Sequence, residues 1–218
     1  MADITRQTLD LPRRHKRSLP AALAGLFVLA GCATAPPPPP EPAATIAVEE
    51  DVGFSITEEV AIADQVRLDY DNALRLLEQG LVEEGIAGLT AVTEAAPDLV
   101  APRIDLGVAY HVAGDLEAAE THLEKAIELN PEHPLAHTEL GIVHRKAGRF
   151  DAARHSYEAA NDSFPGYHYA RRNLAILCDL YLSDLDCALE NYEAYMNTVP
   201  GDDEVEMWLA DVRYRIGQ

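Results

Sequence analysis

"LGVAYHVAGDLEAAETHLEKAIELNP" runs from Leu106 to Pro131, and "LGIVHRKAGRFDAARHSYEAANDSFP" from Leu140 to Pro165. Laid over each other at an offset of 34 residues, the two segments agree at every structurally demanding position. Both open on Leu-Gly, both carry a mid-segment glycine (Gly114, Gly148), and both close on proline. The same offset separates Gly80 from Gly114 and Pro97 from Pro131. A fixed period of this length means one supersecondary unit copied along the chain. Its internal chemistry specifies two antiparallel helices. Gly readily adopts the left-handed conformation that ends a helix, so the Gly-Asp and Gly-Arg steps at 114–115 and 148–149 stop the first helix. The proline ends the second helix and turns the chain into the next unit. Small residues at Gly107 and Ala119, and at Gly141 and Ala153, let the paired helices approach closely.

The second unit carries Leu106, Gly107, Tyr110, Ala119, Leu123, Ala126 and Pro131; the third carries Leu140, Gly141, His144, Ala153, Tyr157, Ala160 and Pro165. These residues at these spacings resemble the tetratricopeptide repeat. A first copy is marked by Ala73, Leu76, Gly85, Leu89, Val92 and Pro97. A fourth has Leu174, Ala175 and Cys178, then one inserted residue near Ser183 before Ala188, Tyr192, Tyr195 and Pro200. The signature tryptophan is absent throughout: Asp69, Arg103, His137 and Arg171 fill its slot. The resemblance implies an all-α, right-handed α-solenoid of about four helical hairpins. They fall at about 66–99, 100–133, 134–167 and 168–202, followed by a capping helix over 203–217. Val205, Trp208, Leu209, Val212 and Ile216 form one apolar stripe on that last helix, with Asp203 and Glu206 as a capping box. At the other end, Thr57 or Ser55 is expected to cap a long first helix reaching about Gln79. The helical domain is thus expected over 57–218. Composition agrees, with 48% hydrophobic but only 6% aromatic residues, a balance that favours helices over sheets.

The N-terminus has a different character. Arg13, Arg14, Lys16 and Arg17 precede an apolar run from Leu19 to Ala30, too short to span a bilayer as a helix, which takes roughly 20 residues. Residues 1–31 therefore read as a secretory signal. "LAGC" at 29–32 resembles the lipobox of bacterial lipoproteins, which implies acylation of Cys32 and cleavage ahead of it. A plain signal cleaved near Ala33 or Ala35 is the alternative. Ala33, rather than Asp, behind the cysteine resembles the outer-membrane sorting signal. Two or three acyl chains supply the multiple signals that stable anchoring requires. Residues 32–56 read as a lipidated, Pro-rich linker, with Pro36–Pro40 and Pro42 as a polyproline rod and no strand or helix periodicity after them. Loss of residues 1–31 removes five Lys/Arg and two Asp/Glu, deepening the net charge from −20 to −23. Such a surface repels nucleic acid and favours basic partners.

No Gly-rich phosphate loop, nucleophile elbow, H-E-x-x-H or C-x-x-C is present, so a non-catalytic role without cofactor is expected. His137 and His144, seven apart, are the only hint of a metal-dependent enzyme, and they lack a third ligand. The resemblance implies instead that the first helix of each hairpin lines a concave groove for a protein partner. By register Leu74, Val108, Ile142 and Ile176 share one slot in four successive repeats. Ile104, His111 and Thr138 lie in neighbouring slots, as do Tyr169 and the flanking Arg145 and Arg172; Tyr70 and Asp179 belong to the same set. Chaperone-binding members of the family place Asn in the shared slot, so an apolar or amphipathic segment of an envelope protein is the expected ligand. The implied role is a scaffold at the outer membrane, in pilus or secretion, outer-membrane assembly or peptidoglycan machinery. A motility or energy-transducing envelope machine is the alternative. Cys178 and Cys187 flank the turn holding the inserted residue, and export favours a disulfide between them.

Overall fold

A computed structural model describes residues 45–49, 53–57 and 62–217. Within 62–217 the period of 34 is a period of helix pairs. The helices are α1 (Asp64–Glu78), α2 (Val82–Ala95), α3 (Val100–Ala113), α4 (Leu116–Leu129) and α5 (Pro134–Lys146). They continue as α6 (Phe150–Ser163), α7 (His168–Leu177), α8 (Leu185–Thr198) and α9 (Asp203–Ile216). Each odd helix packs on the even helix that follows, and each even helix on the next odd one. In addition α3 touches α5, and α5 touches α7, more closely than α4 approaches α6. The odd helices are therefore the inner layer of an all-α solenoid. Among the described residues no helix is long and apolar enough to cross a membrane.

Two complementary columns explain why each pair closes. Ala73, Gly107, Gly141 and Ala175 present small faces on α1, α3, α5 and α7. Leu89, Leu123, Tyr157 and Tyr192 stand opposite them on the even helices and are at most 1% exposed. A Cβ on Gly107 would fall 2.4 Å from Leu123 Cγ, and one on Gly141 would fall 2.4 Å from Tyr157 Cε1. Glycine is thus demanded by contact, because atoms in a packed interior have no room to yield.

The polar residues in the tryptophan slot have found work of their own. His137 Nε2 lies 2.8 Å from the Pro131 carbonyl oxygen, and Arg171 Nε donates to the Pro165 carbonyl at 3.3 Å. Each satisfies a loop carbonyl that the ending helix leaves without a partner. Side-chain caps recur as well: Asp115 accepts from Ala118 N–H, Asp184 from Cys187 N–H and Asp202 from Val205 N–H. The last of these corrects the expected cap. Asp203 already lies in the first turn of α9, so the helix starts one residue earlier than a box built on Asp203 and Glu206 requires.

The fourth hairpin carries its extra residue in a five-residue π-helical turn, Cys178–Leu182. In the second and third hairpins the closing bonds run from Asp115 N–H to Tyr110 O and from Arg149 N–H to His144 O. In the fourth, Asp184 N–H reaches Cys178 O, one residue further back. Ser183 then occupies the left-handed slot (φ 54°) that Gly80, Gly114 and Gly148 fill elsewhere. An L-residue with a side chain is disfavoured there by about 1–2 kcal/mol, less glycine's extra entropy loss on folding. Ser183→Gly is therefore expected to stabilise the protein by about 0.5–1 kcal/mol, raising Tm by a few degrees in a thermal melt. An unchanged or lower Tm would show that the Ser183 side chain compensates.

Two expectations at the N-terminal end are corrected. α1 begins at Asp64, after an extended Ala63 whose side chain offers no cap, so Thr57 and Ser55 do not start it. Those residues lie instead in a strand. β1 (Thr45–Glu49) and β2 (Gly53–Thr57) pair antiparallel, Thr45 opposite Thr57 and Val48 opposite Phe54. Thr, Ile, Val and Phe carry strand preference enough for five-residue segments, too short for a periodicity to stand out. The hairpin belongs to one compact unit and the helices to another. Cys32 and the proline rod lie outside the described residues.

Candidate interaction groove

The four-residue column survives as a surface feature. Leu74, Val108, Ile142 and Ile176 occupy equivalent places on α1, α3, α5 and α7, and each is half-buried. Val108 packs on the cluster around Leu123 and Leu140, while Ile142 and Ile176 pack on the cluster around Tyr157 and Leu177. Val108, Ile142 and Ile176 thus rest on the core with one side and keep part of their surface in water.

Several neighbouring slots behave differently. Ile104 and Thr138 are only 2% exposed and belong to the interior. Ile104 belongs to the cluster it forms with Ala119, Leu123 and Ala126 of α4 and Ala136, Leu140 and Val143 of α5. The Thr138 hydroxyl donates to the Pro134 carbonyl at 2.9 Å. Tyr70 and Asp179 are likewise buried, and Asp179 accepts from Arg215 at 2.6 Å. Arg172 is not a free flanking cation. It donates to Glu204 at 2.9 Å and stacks 5.3 Å over the Trp208 ring, tying α7 to α9. Tyr169 is half-buried beside Tyr167 and His168.

Arg145 does flank the column. Its guanidinium donates to Tyr181 Oη at 3.4 Å and lies 5.7 Å from that ring, while Nε donates to buried Tyr157 at 3.5 Å. Lys146 is exposed next to it. Desolvation first, and then these two cations, hold half-buried His111 below the ordinary histidine range. Val112 and Leu180, at the same end of their helices, are 62% and 67% exposed. One rim of the inner layer is therefore cationic and apolar.

On the other side of the column stand two acids that the slot assignment passed over. Asp105 and Glu139 lie three residues before Val108 and Ile142, hence on the same helix face, and are themselves 34 apart. Tyr70 Oη donates to the Asp105 carboxylate. Burial pushes Asp105 up to about 6 against the effect of that bond. Burial, and then the neighbouring Asp105, push Glu139 up to about 7. Each residue keeps part of its surface in water. The repeat offset alone would have found this pair.

His144 and His137 are each held by hydrogen bonds of their own. His144 Nε2 is 3.2 Å from Glu120, its Nδ1 is 3.2 Å from Ser156 Oγ, and Glu120 takes two 2.7 Å bonds from Arg149. These bonds, from Arg149 foremost, hold the Glu120 carboxyl below the usual range. His137 is turned to the Pro131 carbonyl, away from that network. Among the described residues, Cys178, Asp184 and Cys187 gather closely enough to share a metal ion. The two cysteines, however, form a disulfide with Cα atoms 5.9 Å apart, and Asp184 pairs with Arg154 at 2.6 Å. Cys178 is fully buried, Cys187 half-buried.

Comparison with known proteins agrees on the architecture. Residues 98–165 match the tetratricopeptide repeat family. No curated protein matches the sequence. Among solved structures, MamA (residues 41-end) from Desulfovibrio magneticus RS-1 superposes with a TM-score of 0.63 at 23% identity, over 71% of this chain and 87% of that one. TTC0263, a thermophilic tetratricopeptide protein of Thermus thermophilus, gives 0.59 at 24% identity over 68% and 81%. PilF of Pseudomonas aeruginosa gives 0.63 at 19% identity over 70% and 69%. At these identities the likeness is one of fold, and the fold is a tetratricopeptide solenoid.

Proposed function

We propose that this solenoid is a non-catalytic scaffold of the bacterial cell envelope, held to the outer membrane by lipid on Cys32, that docks a protein partner on its inner layer. The observation that carries the reading is the column Leu74, Val108, Ile142 and Ile176. Four apolar side chains repeat at one slot and each keeps part of its surface in water. Contiguous exposed apolar surface is costly in water, and where it persists it marks interaction sites. Support for the anchor is the "LAGC" box behind a basic and then apolar N-terminus. A tether through acyl chains leaves the helical unit, with its acidic surface, free in the aqueous compartment.

The test is chemical crosslinking and affinity capture from the native membranes, comparing wild type, Ile142→Glu and Cys32→Ser. Wild type is expected in the outer-membrane fraction, crosslinked to a defined partner. Ile142→Glu is expected to lose that partner while the fold persists, at a cost of about 1–2 kcal/mol, since the position is only partly buried. A collapse in Tm would show the column to be core, and full retention of the partner would remove the inner layer from the interaction. Cys32→Ser is expected in the soluble fraction; membrane retention would overturn the anchor.

A further inference from the structure

Most buried or half-buried acids of this protein are neutralised by arginines: Glu120 by Arg149 at 2.7 Å, Asp179 by Arg215 at 2.6 Å, and Asp184 by Arg154 at 2.6 Å. Asp202 is held instead by the Tyr195 hydroxyl at 2.7 Å and the Val205 N–H, within reach of the charge of Arg172. Asp105 and Glu139 stand apart from both. Asp105 has the Tyr70 hydroxyl and no cation, and Glu139 has neither hydrogen bond nor ion pair among the described residues. A desolvated carboxylate without a counter-charge is expensive, and a second one beside it adds repulsion. Purely structural positions in a helix face facing a groove would be filled more stably by an amide, as Asn173 does 34 residues after Glu139, donating to the Tyr169 carbonyl at 2.9 Å.

We infer that the inner layer takes a protein segment bearing a lysine or arginine, whose cationic head seats between Asp105 and Glu139 while adjacent apolar side chains lie on Val108 and Ile142. This rests on the docking surface proposed above and specifies its ligand. The geometry matches in three respects. The acids stand one helical turn from the apolar column on the same two helices, so one short segment reaches both. The opposite rim carries Arg145 and Lys146, which would repel a cation placed there and so fix the direction of the segment. The chain's net charge of −20 draws a basic partner in. Binding a cation also reverses the cost of the empty site. The ammonium or guanidinium restores a counter-charge to both carboxylates in surroundings where charge-assisted hydrogen bonds are strong.

The groups facing Glu139 are Asp105 on α3, Tyr157 on α6 and Tyr167 ahead of α7, with Tyr70 of α1 on Asp105. Burial raises both phenols on Glu139, so in the neutral range only the two acids change charge. With those acids held up near 6 and 7, the pair is largely neutral at pH 5.5 and largely anionic at pH 8. Cation binding therefore strengthens as pH rises through this window.

The test uses the full chain and an array of synthetic 12-residue amphipathic peptides, identical except for one central residue: Lys, Arg, norleucine or Glu. Wild type is expected to prefer the Lys and Arg members by about tenfold or more at pH 7.5. That preference should weaken with added salt and fall toward pH 5.5. Asp105→Asn with Glu139→Gln is expected to keep the fold, since it removes two desolvated charges, and to abolish both the preference and its pH dependence. If peptides bind regardless of the central residue, and Ile142→Glu removes that binding, the cation site is overturned and the docking surface stands. If no peptide binds in a way that Ile142→Glu disrupts, the docking surface itself is overturned.

Discussion

Alanine in place of Tyr157 lowers the unfolding free energy of the helical unit by about 3–5 kcal/mol, on the order of 10 °C in Tm. Tyr157 is fully buried, and its ring lies against Gly141, where even a methyl group would fall 2.4 Å from Cε1. The void left by the ring therefore has a backbone for one wall, and that wall cannot move in without dragging α5 across α6. The hydroxyl accepts from Arg145 Nε at 3.5 Å, and burial pushes its ionisation up to about 12. A Tyr157→Phe control keeps the ring and loses only that long bond, so it should cost no more than about 1 kcal/mol. Urea melts followed by circular dichroism distinguish the two. A loss for alanine as small as that for phenylalanine would show that α5 and α6 can re-close, and the tight-packing account would fail. Because each repeat contacts only its neighbours, a lower slope as well as a lower midpoint is expected, the third hairpin opening before the rest.

The hairpins were legible in the sequence because their constraints are local and repeat. A left-handed turn residue, a close helix approach and a helix-ending proline each demand a particular residue, and the demand returns every 34 positions. Exposure was harder to read. Ile104 and Thr138 were expected among the groove slots, yet both are buried, Ile104 in the cluster that α4 and α5 complete around it. Register gives the angle of a side chain around its helix but not the distance to the next repeat. Arg172 was misplaced for a related reason. Its partners, Glu204 and Trp208, come from the capping helix, which lies outside the repeat and so outside its register. Asp105 and Glu139 also stand 34 apart, but acids are common on these helices and the sequence does not distinguish this pair from the solvated ones. Their lack of a cation becomes visible only beside Glu120, Asp179 and Asp184, each of which has an arginine.

Ending the chain after Asp202 removes α9 and is expected to unfold the fourth hairpin locally while the second and third persist. Val205, Leu209 and Val212 are 0%, 6% and 0% exposed, all on the face that meets α8. At about 1.5–3 kcal/mol per buried aliphatic side chain, the contact contributes roughly 5–9 kcal/mol as an upper estimate. The loss extends further. Asp179, with its side chain 7% exposed, loses the Arg215 guanidinium 2.6 Å away and is left as an uncompensated buried acid. Arg172 loses both Glu204 and the Trp208 ring, and Tyr192 loses the ring 6.0 Å from its own. The disulfide still clamps Cys178 to Cys187, but it ties only the turn and cannot bury the open faces of α7 and α8. Hydrogen exchange should therefore show protection lost over His168–Leu177 and Leu185–Thr198. Protection over Val100–Lys146 should be retained, because those helices keep both neighbours. The exposed tyrosine face should also make the truncated protein self-associate, as solenoids do when a polar cap is missing. Full protection of α8 in the truncated chain would show that the fourth repeat closes by itself, and that α9 is an appendage rather than a cap.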